Sequence, residues 1–353
     1  MSFLTNLFHR EGKGKQIVLI DIGTSSVAGA YALYKERELP VVLYTRRLPI
    51  EKHMNESQDR AMVRALKILG DTLIREGAPV LVRVTGNGSV DNILVSVDAP
   101  WQKTSVRTEQ FEQEKPFIFT KSLITAALEK SSVTTLGKMR TDESIIGTIL
   151  NGYETREPYG KKVHRASVIV LTSRIDEHIT KSITSTLRSV YHTTHITSIA
   201  GSSLRYQAMQ KAFPHERDAL ILDATGPITS IALVRRGLLV SITEIEVSDA
   251  DTAHLWVERV ENELADLAKQ YPLPRTIFLL ARESTEISLR ETLNAANLGK
   301  LWLSDNPPKI VSVLASHLGG LVRQVTDAFP DLLLLLMALY YSHRSSKEEI
   351  SGQ

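Results

Sequence analysis

Two segments of the chain place an aspartate at the end of an apolar run and follow it with a short polar turn. In VLIDIGTSSVAGAYALYKERELPVVLY the aspartate is Asp21, and Gly23, Thr24, Ser25 and Ser26 make the turn. In LILDATGPITSIALVRRGLLVSITEI it is Asp223, followed by Gly226 and Thr229. An aspartate at a strand end can hold Mg²⁺ through water, because Mg²⁺ keeps much of its hydration shell. Glycine lets main-chain N–H groups approach an anion closely, and the hydroxyls add donors. Two such hairpins facing one cleft would clamp a polyphosphate. Asp21, Gly23, Thr24, Ser25, Ser26, Asp223, Gly226 and Thr229 are therefore the candidate phosphate-binding residues, with Asp21 and Asp223 the candidate magnesium holders.

Other chemistry is poorly supported. His192 and His195 lie three apart but have no third ligand nearby, so a surface or capping role is the better reading. Glu258, Glu261 and Glu263 read as solvated charges on a helix whose core face carries Leu264 and Leu267. Trp101, Trp256 and Trp302 are too dispersed for a base-stacking platform. The absence of cysteine excludes disulfides, thiolate metal sites and cysteine nucleophiles, and fits a reducing cytoplasm. A net charge of +2 gives no reason to expect nucleic acid.

The elements that would position the two turns follow from hydrophobic periodicity. Residues 17–20, 27–33 and 41–44 read as strands, and residues 59–74 as an amphipathic helix on Met62, Leu66, Leu69 and Leu73. Residues 80–84 and 93–97 read as further strands, residues 120–129 as a short helix, and residues 144–150 and 166–172 as paired strands across the turn-rich link NGYETREPYGKKVHR. A helix is expected over 176–191. Strand, turn, strand, the turn Arg235-Arg236-Gly237 and a third strand open at Asp218. A helix over 252–270 and a strand over 276–280 come next, and a link at Asn306-Pro307-Pro308 leads to two closing helices. The apolar run 332–341 is half the roughly 20 residues a spanning helix needs. It reads as a buried helix, with Asp331 as N-cap and His343 and Arg344 at its cationic end. Residues 1–15 form an arm with Phe3, Leu4, Leu7 and Phe8 at helical spacing, a candidate for peripheral membrane or partner contact.

The first segment resembles the phosphate-binding loop of the actin, hexokinase and heat-shock-chaperone superfamily. Its pattern D-[IL]-G-[ST]-[ST]-S-[VI] is matched in order from Asp21 to Val27, with Ala28 where lysine is common. The nearest resemblance is to FtsA of bacterial cell division and PilM of type IV pilus assembly, which carry a small inserted subdomain. Asn151-Gly152 and Pro158-Tyr159-Gly160 resemble features of the FtsA insert. The resemblance implies an α/β, ribonuclease H-like fold of two lobes with an inserted α+β subdomain, and ATP with Mg²⁺ as ligands. The chain departs from the pattern in its second lobe. Thr225 and Pro227 replace glycines, Ser230 replaces an acid, Ser248-Asp249 stands where Gly-Gly is usual, and Ala281-Arg282-Glu283 replaces a glycine-rich adenosine loop. Pro227 has no N–H to offer a phosphate.

The expected organisation is an arm (1–15), a first lobe (16–86 and 174–214), an insert (87–173), a second lobe (215–305), and closing helices with a polar tail (306–353). The functional expectation is a cytoplasmic scaffold or adaptor, at the inner face of the membrane, with degenerate nucleotide binding and weak or no ATPase activity. Self-association is part of this reading. The partner implied is an FtsZ-like tubulin homologue if FtsA-like, or the cytoplasmic tail of an inner-membrane pilus protein if PilM-like. The alternative is an active ATPase or small-molecule kinase of the same fold, which would need an intact second phosphate loop and a catalytic acid.

Overall fold

The computed structural model describes residues 14–131, 137–155, 157–246, 253–303, 308–325 and 330–351. Most of the expected arm lies outside these residues, as do Ser248, Asp249, Asn306 and Pro307. The chain begins with β1 (Lys15–Ile22), β2 (Ser26–Tyr34), β3 (Val41–Pro49), α1 (Gln58–Thr72), a wider helical turn (Leu73–Gly77), α2 (Ala78–Thr85) and β4 (Asn92–Val97). A second set comprises β5 (Gln102–Ile118), α3 (Lys121–Ser131), β6 (Lys138–Leu150), β7 (Tyr153–Glu154) and β8 (Lys162–Asp176). Then come α4 (Glu177–Tyr191), β9 (Ile196–Ala200), α5 (Gly201–Ala212), β10 (Ala219–Ala224), β11 (Ile228–Arg235), β12 (Leu238–Glu246), α6 (Ala253–Gln270), β13 (Thr276–Ala281) and α7 (Glu283–Ala295). The last elements are β14 (Lys309–Val313), β15 (Arg323–Gln324) and α8 (Leu332–Ser351).

The internal repeat seen in the two turns extends to whole sheets. One sheet has the order β15-β3-β2-β1-β4-β9 and the other β12-β11-β10-β13-β14. Apart from β15, each is an antiparallel three-strand meander continued by two parallel strands. The β11–β12 turn has Arg236 and Gly237 at φ 54° and 81°. That tight primed turn matches the sheet twist and needs a residue tolerant of positive φ.

The layers follow from strand parity. Val18, Ile20 and Ile22 pack with α1 and α4, and Ile17 and Leu19 with α5 and α8. Likewise Leu220 and Leu222 pack with α6, and Ala219 and Ile221 with α5 and α8. Helix α8 is buried on every side from Leu333 to Tyr340, which is why its sequence is apolar without a polar face. With side chains alternating between faces, Asp21 continues the row of Ile17 and Leu19, and Asp223 the row of Ala219 and Ile221. Both carboxylates therefore project into the space between the sheets.

Three expectations need correction. Residues 80–84 are helical; a short apolar run flanked by Pro79 and Gly86 does not reveal its period. Residues 92–97 pair with β1 in the first sheet, so the third sheet, β5-β8-β6-β7, begins only at Gln102. The segment after Pro308 is β14 of the second sheet, and among the described residues α8 is the single closing α-helix.

Candidate functional site

The two aspartate turns face each other, and the space between them is filled by arginine side chains. Arg47 on β3 donates from Nε and Nη2 to both carboxylate oxygens of Asp331, at 2.7 and 3.0 Å. It also donates to Asp21 Oδ2 at 3.0 Å and to Ser26 Oγ at 2.9 Å. Asp331 in turn caps α8, accepting from Leu334 N at 3.2 Å. Arg205 on α5 donates to Asp98 at 2.7 Å and forms an ion pair with Asp223 of the other sheet. Gly201, at the start of α5, lets Asp98 in: a Cβ there would lie 1.9 Å from Asp98 Oδ1. Arg282 donates from Nε to Thr225 O at 2.7 Å and from Nη2 to Ser25 Oγ at 2.9 Å.

These bonds engage several of the groups expected to meet phosphate. Gly23 N is spent on Ser26 O at 2.9 Å, and Thr24 Oγ1 donates to Ala99 O at 2.7 Å. Thr225 N and its hydroxyl donate to Asp223 Oδ1. The remaining cavity among Asp21, Asp98, Arg205 and Asp223 is about 30 Å³. That suits a water or two, whereas ligand pockets run to roughly 300–1,000 Å³. The buried Asp21 Oδ1 has no hydrogen-bond partner and suits such a water. A recess of about 460 Å³ lies beyond Arg282, against Trp256, Ser284 and Thr285 of the second lobe. Ser25 of the first turn and Thr225, Gly226 and Thr229 of the second lobe also line it, with Arg282 between the two.

Asp21, Gly23, Thr24, Ser26, Asp223 and Gly226 line the cleft, and Ser25 reaches it through Arg282. Thr229 lines instead the adjoining recess, with Ser25 and Gly226. It lies on the opposite side of β11 from Asp223's partner Ser230, and its hydroxyl accepts from Trp256 Nε1 at 2.9 Å. Sequence reasoning missed Arg47, Arg205, Asp98 and Glu244. Glu244 on β12 pairs with Ser230 on β11 and lines the cleft, so an acid stands one strand away from the position where the expected pattern has one. Gln102 Nε2 donates to it at 2.7 Å.

Four aspartates share two guanidiniums here. Burial pushes Asp98 up to about 7 despite the opposing pull of Arg205, and it raises Asp21 as well, against Arg47. Burial opposes the charge on Arg205 and Arg47, but their carboxylate partners outweigh it and hold both above the ordinary arginine range. Burial also raises Glu244. Among the described residues no group of three or more His, Asp or Glu side chains is placed to hold a metal. With both candidate magnesium ligands engaged by guanidinium groups and about 30 Å³ left between them, the residues as arranged do not fit a magnesium-bound phosphate at Asp21 and Asp223.

No protein-family model matches this sequence, and no curated protein matches it. Among solved structures, the chain is similar to a PilM–PilN type IV pilus biogenesis complex, with a TM-score of 0.54 and 14% identity over 93% of this chain and 98% of that one. The fold is that of the actin-like ATPases. At this identity the likeness concerns the fold. Similarity at lower scores extends to a Bacteroides thetaiotaomicron protein with actin-like ATPase fold and unknown function (TM-score 0.45, 11% identity, 92% of this chain and 96% of that one). It also extends to the ethanolamine utilization protein EutJ from Carboxydothermus hydrogenoformans (TM-score 0.38, 11% identity, 92% and 89%). In this actin-like chain the cleft between the lobes is bridged by its own side chains. No helix is long and apolar enough among the described residues to cross a membrane.

A second, larger recess of about 650 Å³ lies away from the cleft. One wall is Ile145 to Thr148 of β6, and the other is Arg236 to Leu238 of the second-lobe turn. Gln207, Gln210 and Lys211 of α5 also line it. On the side of β6 away from β8, β7 pairs with Ile149 and Leu150 and Thr155 N donates to Thr148 O at 2.9 Å, and among the described residues the part of β6 before Thr148 has no strand partner there.

Proposed function

We propose that this protein is a scaffold or adaptor of the PilM and FtsA kind that works without nucleotide turnover. The observation that carries the reading is Arg205, which lies between the aspartate-bearing strands of both sheets, where a polyphosphate would have to sit. Hydrolysis needs a phosphate cradle, a metal and a positioned water. Here the cradle hydroxyls and both aspartates are already bonded within the protein.

The 650 Å³ groove is the partner site in this reading. It combines an open strand edge, which an extended peptide can join by main-chain hydrogen bonds, with apolar side chains such as Ile145 and Phe213 and the cations of Lys211 and Arg236. The similarity to a PilM–PilN complex supports a pilus protein's cytoplasmic tail as occupant, at the inner face of the membrane. The insert resembling that of FtsA supports a division role with an FtsZ-like partner as the alternative pathway. The enzyme reading has one observation in its favour, the Glu244 carboxylate opposite Ser230 at the cleft, but Gln102 holds that carboxylate.

Calorimetric titration with ATP and Mg²⁺ tests the first claim, and titration with synthetic tail peptides of inner-membrane pilus proteins tests the second. No heat with nucleotide and saturable binding of a tail peptide are expected. Micromolar ATP binding with phosphate release would overturn the nucleotide-free reading.

A further inference from the structure

We propose that Arg205 and Arg282 hold the two lobes closed in place of a nucleotide, and that this closure sets the shape of the groove between the insert and the second lobe. The second half rests on the groove being the partner site; the first half does not.

In a two-lobed protein, a ligand bound across the cleft favours the closed arrangement by touching both halves only when they are together. Three side-chain bridges meet that description here. Arg205 joins Asp98 after β4 to Asp223 of β10. Arg282, leading into α7, reaches Ser25 of the first turn. Gln102, leading into the insert, donates to Glu244 of β12. The bridging groups are covalently part of the chain, so they need not lose the translational freedom that a free ligand loses on binding.

Helix α5 connects this closure to the groove. Its first turns carry Arg205, which is almost fully buried in the cleft. Its last turns carry Gln207, Gln210 and Lys211, which line the groove. Between them, Tyr206 accepts from Leu239 N at 3.1 Å, and Gln210 donates to Tyr206 Oη at 2.7 Å and to Gly237 O. The helix thus grips the second lobe at both ends. The groove walls also touch directly: a Cβ on Gly147 would lie 2.6 Å from Leu238. Separation of the lobes would therefore pull Arg236 to Leu238 away from Ile145 to Thr148, and the groove would lose a wall. Cleft and groove are two sites biased by one two-state element, which is the physical requirement for coupling between them.

The chain has no native cysteine, so paired spin labels can be placed without background. Labels at the exposed positions Lys67→Cys on α1 and Glu258→Cys on α6 report the distance between lobes by pulsed EPR. The expected result is one narrow distance distribution that ATP and Mg²⁺ do not change, and a broadened or lengthened one in Arg282→Ala and Arg205→Ala. In the same variants, hydrogen exchange at residues 145–148 and 236–238 should quicken by about tenfold or more, the scale of one lost charge-assisted bond. Arg282 is exposed, so its variant keeps the test valid if Arg205→Ala does not fold. A broad wild-type distribution, one that narrows with ATP, or latch variants with the wild-type distance would overturn the closure. A changed distance with unchanged exchange in the groove would overturn the coupling. Tail-peptide binding to the wild-type protein is a separate readout, so failure of the groove reading is distinguishable from failure of the latch.

Discussion

Arg282 Nη2 lies 2.9 Å from Ser25 Oγ, a contact between residues 257 positions apart that belong to opposite lobes. Ser25 sits in the turn whose pattern identifies the fold, and Arg282 stands where that fold's pattern calls for glycine. The hydroxyl expected to meet a phosphate thus meets a guanidinium. The same substitution of partner recurs at Asp21 with Arg47 and at Asp223 with Arg205.

Removing Arg205 should be costly out of proportion to the bonds it makes. Arg205→Ala leaves Asp98 and Asp223 buried without their cation, and breaking one side of a buried pair costs about 3–5 kcal/mol. A fall in Tm on the order of 10 °C is expected for a chain of this size. Arg205→Met, of similar volume, combined with Asp98→Asn should recover part of that loss, because only Asp223 is then left without its cation. Thermal unfolding followed by circular dichroism compares the three proteins; equal melting of Arg205→Ala and the parent would refute the assignment.

Stability should fall as pH rises through neutrality. Asp98 is raised by burial to about 7 in the folded state, against 3.8 when free. The folded protein therefore binds the proton more tightly than the unfolded one between these values. The stabilisation is complete below about pH 4 and is lost progressively up to about pH 7, where folded Asp98 deprotonates. Other carboxylates with lowered values, Glu56 at about 2 among them, act only at lower pH. Urea unfolding from pH 5 to 8 should show a declining midpoint, and Asp98→Asn should flatten the decline. A parent profile as flat as that of Asp98→Asn would count against the raised value.

Gly201→Ala probes the same pair through the backbone. The added methyl would lie 1.9 Å from Asp98 Oδ1, so the carboxylate must move away from Arg205. Alanine ordinarily favours a helix over glycine by up to about 1 kcal/mol, so a loss of stability here would reverse the usual sign. A drop of about 1–3 kcal/mol, typical of overpacking, is expected in denaturant melts. A gain would show that Asp98 is free to shift.

Much of this arrangement was legible in the sequence, and what was not has a physical reason. The turn at Asp21 and its echo at Asp223 revealed a duplicated sheet, and strand parity points both carboxylates into one cleft. The apolar run 332–341 and Asp331 identified a buried, capped helix. The partners of those aspartates were not visible. Arg205 and Asp98 are 107 positions apart, and Arg47 and Asp331 are 284 apart. Nothing in a single sequence links an arginine on a strand or a helix to a particular distant acid. Thr229 faces the adjoining recess beside Trp256, since similarity to the family pattern gives a residue's type without its face. Glu244 escaped notice because it stands opposite Ser230 on the neighbouring strand, a proximity in space with no counterpart along the chain.

The bridge at Arg205 also changes what the molecule can sense. A cleft closed by a metabolite reports the supply of that metabolite, opening when it is scarce and resetting when it is spent. A cleft closed by a residue has a fixed local concentration of its own plug, renewed with each copy of the protein synthesised. Such an assembly would keep its geometry in a starved cell as in a growing one. On the closure proposed above, any timing of its action would come from when the proposed partner arrives.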